Sequence, residues 1–278
     1  MNQKVVALFL AFIMVMSIFP FLLSGGNRQN TTETTNAQSF SNIGGKQVNV
    51  PLNSLSDGLA ITPSDVIAAQ YIDIVDAEKS HLQLIVGNTS TLDTLYGAKV
   101  ETIYSARLGN GDRFDLHKIS PEIINFPYYL SPEPYKGYQL LLRSNGIYNV
   151  VGNPMIMGTE NSTKGVINVI SGDAKPSDAF DEILKYSVDN AQLETAAFSE
   201  TGANQIYIAW KAESSDNYSR TTVYLNPTQA TIGNITEYAA EGRSKGLNYA
   251  VNDYGNITEV TITTNASGFF ALVSEPVM

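Results

Sequence analysis

Residues 99–119 read KVETIYSARLGNGDRFDLHKI, and this stretch predicts the type of fold. Its two halves, Lys99–Leu108 and residues 113–119, are predicted strands. Between them, Gly109-Asn110-Gly111-Asp112 combines the residue types that form tight turns. The stretch is therefore expected to fold as an antiparallel hairpin.

Patterns on both sides of this hairpin predict further short strands. They are expected at residues 46–52, 70–86 (as a hairpin), 137–143, 147–151, 166–171, 193–199, 205–212, 220–225, 247–251, 257–264 and 269–274. Helices are expected from Thr62, from Ser177 or Asp178, and over about 235–245 with Asn234 as N-cap. A longer first helix that reaches Ile74 is an open alternative to the 70–86 hairpin. The predicted fold class is α+β, with mostly antiparallel sheets and a few short helices after one N-terminal transmembrane or signal helix.

The polar segment 152–164, GNPMIMGTENSTK, is the predicted boundary if the chain has two subdomains. Pro-Ser-Asp occurs at 63–65 and again at 176–178, and each copy is expected to open a helix that strands follow. The repetition suggests two related α+β halves, and a good helix N-terminus also explains each copy by itself.

An uncharged apolar run of nineteen residues, VVALFLAFIMVMSIFPFLL, occupies residues 5–23. As a helix it is about 28 Å long, which is close to the hydrocarbon thickness of a bilayer. Lys4 precedes the run, and basic flanks stay on the cytoplasmic side. The sequence therefore predicts a single-pass anchor in the cell membrane, with the C-terminal region outside.

A cleaved secretory signal is the alternative to the anchor. Ser24-Gly25-Gly26 offers small residues to a peptidase, and Pro20 shortens the apolar helix. The protein would then be secreted. In both cases residues 1–26 are the anchor or signal, residues 27–42 a flexible polar tether, and residues 43–278 an extracytoplasmic α+β region. The lipid bilayer is the predicted partner of the N-terminal segment.

The composition excludes several classes of function. The chain has 27 acidic and 17 basic residues, and its net charge of −10 disfavours nucleic-acid binding. It has no cysteine, which excludes disulfides, thiol nucleophiles, iron–sulfur clusters and thiolate zinc sites. No cofactor and no metal site is predicted.

Residues 126–138, FPYYLSPEPYKGY, predict an irregular loop because three prolines interrupt it. Its tyrosines are the candidate binding residues: Tyr128, Tyr129, Tyr135 and Tyr138. Tyrosine offers rigid, amphipathic contact area to a sugar or a protein partner. In the alternative interpretation, the rings fold back and close the loop over the core.

Carboxylates near a predicted helix start are the candidates for catalysis: Asp173, Asp178, Asp181 and Glu182. A pair of them could act as acid and nucleophile in a glycosidase-like hydrolase, but acidic residues also favour helix N-termini through the helix dipole. His117 shares a predicted strand face with Asp115 and Arg113, where a surface salt bridge is expected. The chain has no GxSxG, HExxH, GxGxxG or P-loop motif, so no catalytic residue is assigned.

Seven Asn-X-Ser/Thr triplets occur, where the composition predicts about four by chance. Five are the predicted glycosylation sites: Asn88, Asn161, Asn217, Asn256 and Asn265. An organism that glycosylates asparagine would attach sugars there to an exported protein.

The order of anchor, polar tether and acidic cysteine-free region resembles that of prokaryotic cell-envelope proteins in general. It predicts a membrane-tethered extracytoplasmic protein with a binding or structural role, whose partner is an envelope protein or a polysaccharide. An exported carboxylate-dependent hydrolase is the alternative.

Overall fold

A computed structural model of the chain describes residues 37–214 and 216–278. The strands in these ranges are β1 (Gln38–Ser39), β2 (Val48–Asn49), β3 (Val66–Asp73), β4 (Lys99–Leu108), β5 (Arg113–Ser120), β6 (Ile123–Ile124), β7 (Tyr129–Leu130), β8 (Leu141–Leu142), β9 (Tyr148–Val150), β10 (Gly152–Asn153), β11 (Met155–Gly158), β12 (Leu193–Phe198), β13 (Gln205–Ala212), β14 (Asn217–Leu225), β15 (Asn248–Asp253) and β16 (Ile257–Asn265). The α-helices are α1 (Leu55–Leu59), α2 (Ile74–Ala77), α3 (Gln83–Val86), α4 (Ser90–Tyr96), α5 (Glu160–Ile170), α6 (Asp181–Leu184), α7 (Gln229–Gly242) and α8 (Phe269–Ser274). The α+β class, with mostly antiparallel sheet and several short helices, is confirmed.

The predicted anchor at residues 1–26 lies outside the described residues. Among the residues that the structure does describe, every helix is too short or too polar to cross a membrane. The folded region begins earlier than expected, because Gln38–Ser39 pairs with Ile123–Ile124 and Phe40 is 1% exposed. Residues 38–42 therefore belong to the fold, whereas we had assigned them to the tether.

The described chain divides into two compact units. An N-terminal unit comprises residues 37–75 and Val86–Asp178, and a C-terminal unit comprises Asp76–Ile85 and Ala179–Met278. The chain thus enters the C-terminal unit at Asp76, returns to the N-terminal unit at Val86 and enters the C-terminal unit again after Asp178. Residues 152–164, where the sequence suggested a boundary, lie within the N-terminal unit.

The predicted hairpin lies in the sheet of the N-terminal unit. The strand order is β3-β4-β5-β11-β9-β8-β7, and each neighbouring pair is antiparallel. At the turn between β4 and β5, Asn110 Oδ1 accepts a hydrogen bond from the backbone N–H of Asp112 at 2.8 Å. Gly111 has a φ of 88°, a value that glycine adopts without steric cost. The local turn signal therefore predicted this part of the fold correctly.

A buried tyrosine joins the first helix to this sheet. Tyr104 of β4 is fully buried, and its hydroxyl lies 2.6 Å from the hydroxyl of Thr62. Gly58 of α1 lies directly against its ring, since a Cβ at position 58 would be 2.1 Å from Cδ2 of Tyr104. A larger residue at position 58 would force this part of the core apart.

The C-terminal unit has a sheet of order β15-β16-β14-β13-β12, in which each neighbouring pair is antiparallel. Arg220 of β14 is 2% exposed and donates to the carbonyl oxygen of Glu275 at 2.6 Å and to that of Pro276 at 3.2 Å. Its guanidinium also lies over the Trp210 ring, 5.5 Å from the centroid. The residues after α8 are thereby attached to the sheet.

Several predicted helices and strands were wrong. Most of these errors fall on short apolar runs, because the periodicity of such a run suits a helix and a strand equally. Residues 166–170 belong to α5, with Ser171 as its C-cap, and residues 269–274 form α8, where strands were predicted. The 70–86 hairpin is instead the end of β3 followed by α2 and α3. A strand, β3, follows Thr62-Pro63-Ser64-Asp65, where a helix was expected.

The two Pro-Ser-Asp copies do not open two halves. Pro63 and Pro176 form an antiparallel β-bridge, and the N–H of Ser177 donates to the carbonyl of Thr62 at 2.9 Å. Both copies thus lie in the N-terminal unit. The predicted helix near 235–245 exists, but it begins at Gln229 with Thr228 as its N-cap, so Asn234 has no capping role.

Candidate binding cleft

The four predicted tyrosines lie in three different environments. Tyr138 is 8% exposed, Tyr128 and Tyr135 are half-buried, and Tyr129 is 67% exposed. Neither interpretation of the loop therefore describes all four residues: one ring closes over the core, and the others have faces in solvent.

A tight turn shapes the end of this loop. The backbone groups of Tyr135 and Tyr138 exchange two hydrogen bonds of 2.8 Å. Lys136 and Gly137 between them have positive φ angles of 52° and 87°. The hydroxyl of Tyr135 donates to Oδ1 of Asn168 on α5 at 2.8 Å. The turn and this hydrogen bond attach the loop to α5.

A cleft with a volume of about 460 Å³ lies within the N-terminal unit, beside this loop. Its wall combines the loop, strands β8 and β9, and the first turns of α5. The lining residues are Leu130, Ser131, Pro132, Glu133, Pro134, Tyr135, Leu140, Leu142, Tyr148, Glu160 and Lys164. Aromatic and aliphatic side chains with a few polar groups are typical of small-ligand and peptide sites.

Two charged residues of α5 lie at the wall of the cleft. Lys164 Nζ is 2.6 Å from Oε1 of Glu160 and 5.1 Å from the centroid of the Tyr135 ring. The hydroxyl of Tyr148 donates to Oε2 of Glu160 at 3.4 Å. The hydrogen bond from Lys164 lowers the pKa of Glu160 and raises the pKa of Lys164 itself, so this pair is fully charged at neutral pH.

Helix α5 brings these two charges to the same face, because residues four apart are neighbours on a helix. Thr159 is its N-cap and accepts a hydrogen bond from the N–H of Ser162 at 3.2 Å. The hydroxyl of Ser162 donates to the carbonyl of Arg113 on β5 at 3.0 Å. The sequence pattern did not indicate Glu160 and Lys164 as site residues, because residues 152–164 suggested a subdomain boundary. The Thr159 cap followed by the Glu160 and Lys164 pair was the available signal.

The carboxylates considered for hydrolysis do not line this cleft. Asp173, Asp178, Asp181 and Glu182 are all exposed. Asp173 forms an ion pair with Lys136, and Glu182 accepts a hydrogen bond from Asn256. Within the described residues, no group of three or more His, Asp or Glu side chains could hold a metal ion.

His117 and Asp115 are in the interior and not on the surface, where we expected them, although the charge of Arg113 does act on Asp115 and lowers its pKa against the larger effect of burial. His117 is fully buried, and its Nδ1 lies 2.6 Å from the Tyr96 hydroxyl. Burial lowers the pKa of His117 to about 3. Asp115 accepts a hydrogen bond from the Ser105 hydroxyl at 2.5 Å, and burial raises its pKa to about 6. Strand alternation predicted the shared face of the two side chains but not that this face is covered.

The five predicted glycosylation sites are all exposed: Asn88, Asn161, Asn217, Asn256 and Asn265. Exposure is required for modification, but it does not test whether sugars are attached. Glycosylation at these sites stays a prediction.

Comparison with known proteins gives a partial match. The family model AF_2048_N, which describes the N-terminal domain of a protein family, matches residues 51–171. This range is less than half of the chain. No protein of curated function matches the chain in sequence. Two crystal forms of TP0453 resemble it in structure, with a TM-score of 0.48 in both cases. The first is 9% identical and matches over 78% of this chain and 96% of TP0453; the second is 11% identical, with 78% and 98% covered. All residues that line the cleft are in the matched family region.

Proposed function

We propose that the protein is a membrane-tethered extracytoplasmic binding protein of the cell envelope, and that the cleft beside the tyrosine loop is its binding site. The apolar run at residues 5–23 supports the tether and the extracytoplasmic location, because its length suits a bilayer and Lys4 precedes it. The absence of cysteine and the net negative charge agree with an exported region that packing stabilises without disulfides.

The cleft is the observation that carries the binding role. It presents two half-buried tyrosine rings, three leucines and two prolines to a ligand, with one ion pair at its wall. Tyrosine and proline side chains have few rotamers, so the protein loses little side-chain entropy when a ligand binds against them. The partner is an envelope polysaccharide or an extended segment of an envelope protein, since both can place a flat or apolar group against the rings of Tyr135 and Tyr148.

The location is tested on cells that express the full chain. Membranes are washed with alkaline carbonate, and intact cells are treated with a protease. We expect the chain to stay in the washed membranes and to be cleaved from outside. A full chain that remains in the cytosol, or that resists protease until the cells are lysed, would disprove the location.

The binding site is tested with two probes, purified envelope polysaccharide and detergent-solubilised envelope proteins, each titrated against the full chain. Tyr135→Ala and Tyr148→Ala should weaken the binding, because each removes a ring from the cleft wall. Tyr254→Ala is the matched control, since Tyr254 is 50% exposed and lies in the C-terminal unit. Binding that both cleft variants retain at the wild-type level would show that the ligand does not use this cleft.

A further inference from the structure

Strand β7 exposes two neighbouring apolar side chains. Tyr129 is 67% exposed and Leu130 is 56% exposed, and within the described residues of the N-terminal unit no other large apolar side chain is as open. β7 is the last strand in the order of its sheet. Successive side chains of a strand point to opposite faces, so these two side chains make both faces of this sheet edge apolar, and we name the edge formed by Tyr129 and Leu130 the β7 surface.

The sequence around the β7 surface carries no charge. Residues 123–132, IINFPYYLSP, contain neither an acidic nor a basic side chain, although the chain has 44 charged residues (17 + 27). Moving a charged group out of water is costly, whereas tyrosine and leucine enter the boundary between lipid headgroups and acyl chains readily. The segment that carries the β7 surface can thus meet the headgroup region of a bilayer without a charge of its own losing its water.

The chain that leads from residues 5–23 enters the fold beside the β7 surface. Gln38–Ser39 pairs with Ile123–Ile124, and the hydroxyl of Tyr128 donates to Oε1 of Gln38 at 2.7 Å. Tyr128 precedes Tyr129 directly. Gln38 is fifteen positions after Leu23 (38 − 23), so the link between the apolar run and the fold spans at most about 50 Å.

From these observations we infer that Tyr129 and Leu130 insert into the interface of the bilayer that residues 5–23 cross. The inference rests on the membrane tether of the proposed function. Lipid is the occupant, rather than a second copy of the chain, because the chain that leads from residues 5–23 enters the fold beside this surface and limits its distance from the bilayer to about 50 Å. A membrane anchor together with a second, weaker apolar contact fixes the orientation of a domain on the membrane.

This contact would also determine where the cleft opens. Leu130 belongs to both the β7 surface and the lining of the cleft. A cleft next to the bilayer receives its ligand from molecules presented at the membrane surface. The envelope partner is therefore one that lies on or is attached to the membrane.

The test uses the full chain in phosphatidylcholine vesicles, with and without bromine on the acyl chains. Bromine quenches the fluorescence of a tryptophan that lies at the interface or deeper in the bilayer. Tyr129→Trp is the probe variant. Phe270→Trp is the matched control, since Phe270 is 70% exposed but lies in the C-terminal unit. The native Trp210 is 3% exposed, and the wild-type chain, in which it is the sole tryptophan, gives the emission that is subtracted from that of each variant. We expect brominated lipid to quench most of the emission from Trp at position 129 and to leave position 270 unquenched.

Flotation of the vesicles separates the two proposals. If the full chain does not float with the lipid, the tether of the proposed function fails. If the chain floats and position 129 is not quenched, the tether stands and the β7 surface does not touch lipid. Equal quenching at positions 129 and 270 would also overturn the inference, because the contact would not be specific to β7.

Discussion

Two carboxylates of this protein have the same kinds of partner in very different surroundings. In the N-terminal unit, Glu160 binds Lys164 through Oε1 at 2.6 Å and Tyr148 through Oε2 at 3.4 Å. In the C-terminal unit, Glu275 binds Lys245 through Oε1 at 2.7 Å and Tyr249 through Oε2 at 2.5 Å. Both lysines are 35% exposed, but the side chain of Glu160 is 49% exposed and that of Glu275 only 4%.

Burial of the carboxylate, and not the kinds of residue, separates the two groups. Glu275 has lost its water, so it depends on its protein partners, and desolvation with the nearby carboxylate raises the pKa of Tyr249. Glu160 keeps much of its water and can exchange a protein partner for a ligand group. The Glu275 group is therefore suited to a structural role, and under the proposed function the Glu160 group is the one available to a ligand.

The largest effect is expected from the buried carboxylate. Glu275→Gln should lower the free energy of unfolding by about 4 kcal/mol, because it removes the negative charge that faces the buried Arg220 and leaves Lys245 only the more distant Glu241, at 3.7 Å. Glu160→Gln is the matched control and should leave the free energy of unfolding nearly unchanged, because an exposed ion pair contributes little. Urea unfolding of both variants provides the measurement. Similar losses in the two variants would contradict the distinction that we draw.

Asp115 extends the comparison to a buried carboxylate whose hydrogen-bond donor is a hydroxyl group, with the charge of Arg113 acting in the same direction. Its pKa is about 6 in the fold, against an ordinary value of 3.8, so between these values the native state holds more proton than the unfolded chain. Its contribution to stability is complete below pH 4 and is lost as the pH rises through 6. From the two values, the loss is about 3 kcal/mol.

Asp115→Asn isolates this effect. The stability of the wild type relative to the variant should fall between pH 4 and pH 7, as measured from urea midpoints at each pH. His117 contributes with the opposite sign in both proteins, because its lowered pKa removes stability as the pH falls below 6.5. Asp173→Asn, at an exposed position, is the control. A difference between wild type and Asp115→Asn that does not change with pH would refute the raised pKa.

The smallest effect concerns the helix that carries Glu160 and Lys164. Thr159→Ala removes the N-cap of α5, and Thr228→Ala removes the equivalent cap of α7 in the C-terminal unit. Each should cost about 1 kcal/mol in the free energy of unfolding. Only Thr159→Ala should also weaken binding at the cleft, since only α5 contributes to its wall. Equal binding losses in both variants would indicate general destabilisation instead.

The hairpin of β4 and β5 was predictable because its signals are local. The turn residues at 109–112 lie between two apolar-rich strands, and the structure differs from the prediction by one residue at Ser120. The strands β12 and β13 were found in the same way. Where the sequence pattern was short or polar, tertiary packing determined the secondary structure of the segment. In α5, for example, Ser162 and Thr163 are buried against the sheet despite their polarity.

The candidate site was predictable only in part. The loop of tyrosines and prolines was recognisable from composition, but Glu160 and Lys164 lie more than twenty positions away and reach the cleft only through the packing of α5. Composition could not distinguish the buried Tyr138 from the exposed Tyr129 either, because both lie in the same loop of few charges, residues 126–138.

The sequence by itself determined the properties that are sums over the chain or depend on a few adjacent residues. These are the net negative charge, the lack of cysteine, the apolar run at residues 5–23 and the central hairpin. Only the tertiary structure decided which Lys, Glu and Tyr residues form an open site and which form a buried one. The reason is that burial depends on what distant segments cover, and a pattern of neighbours along the chain does not contain that information.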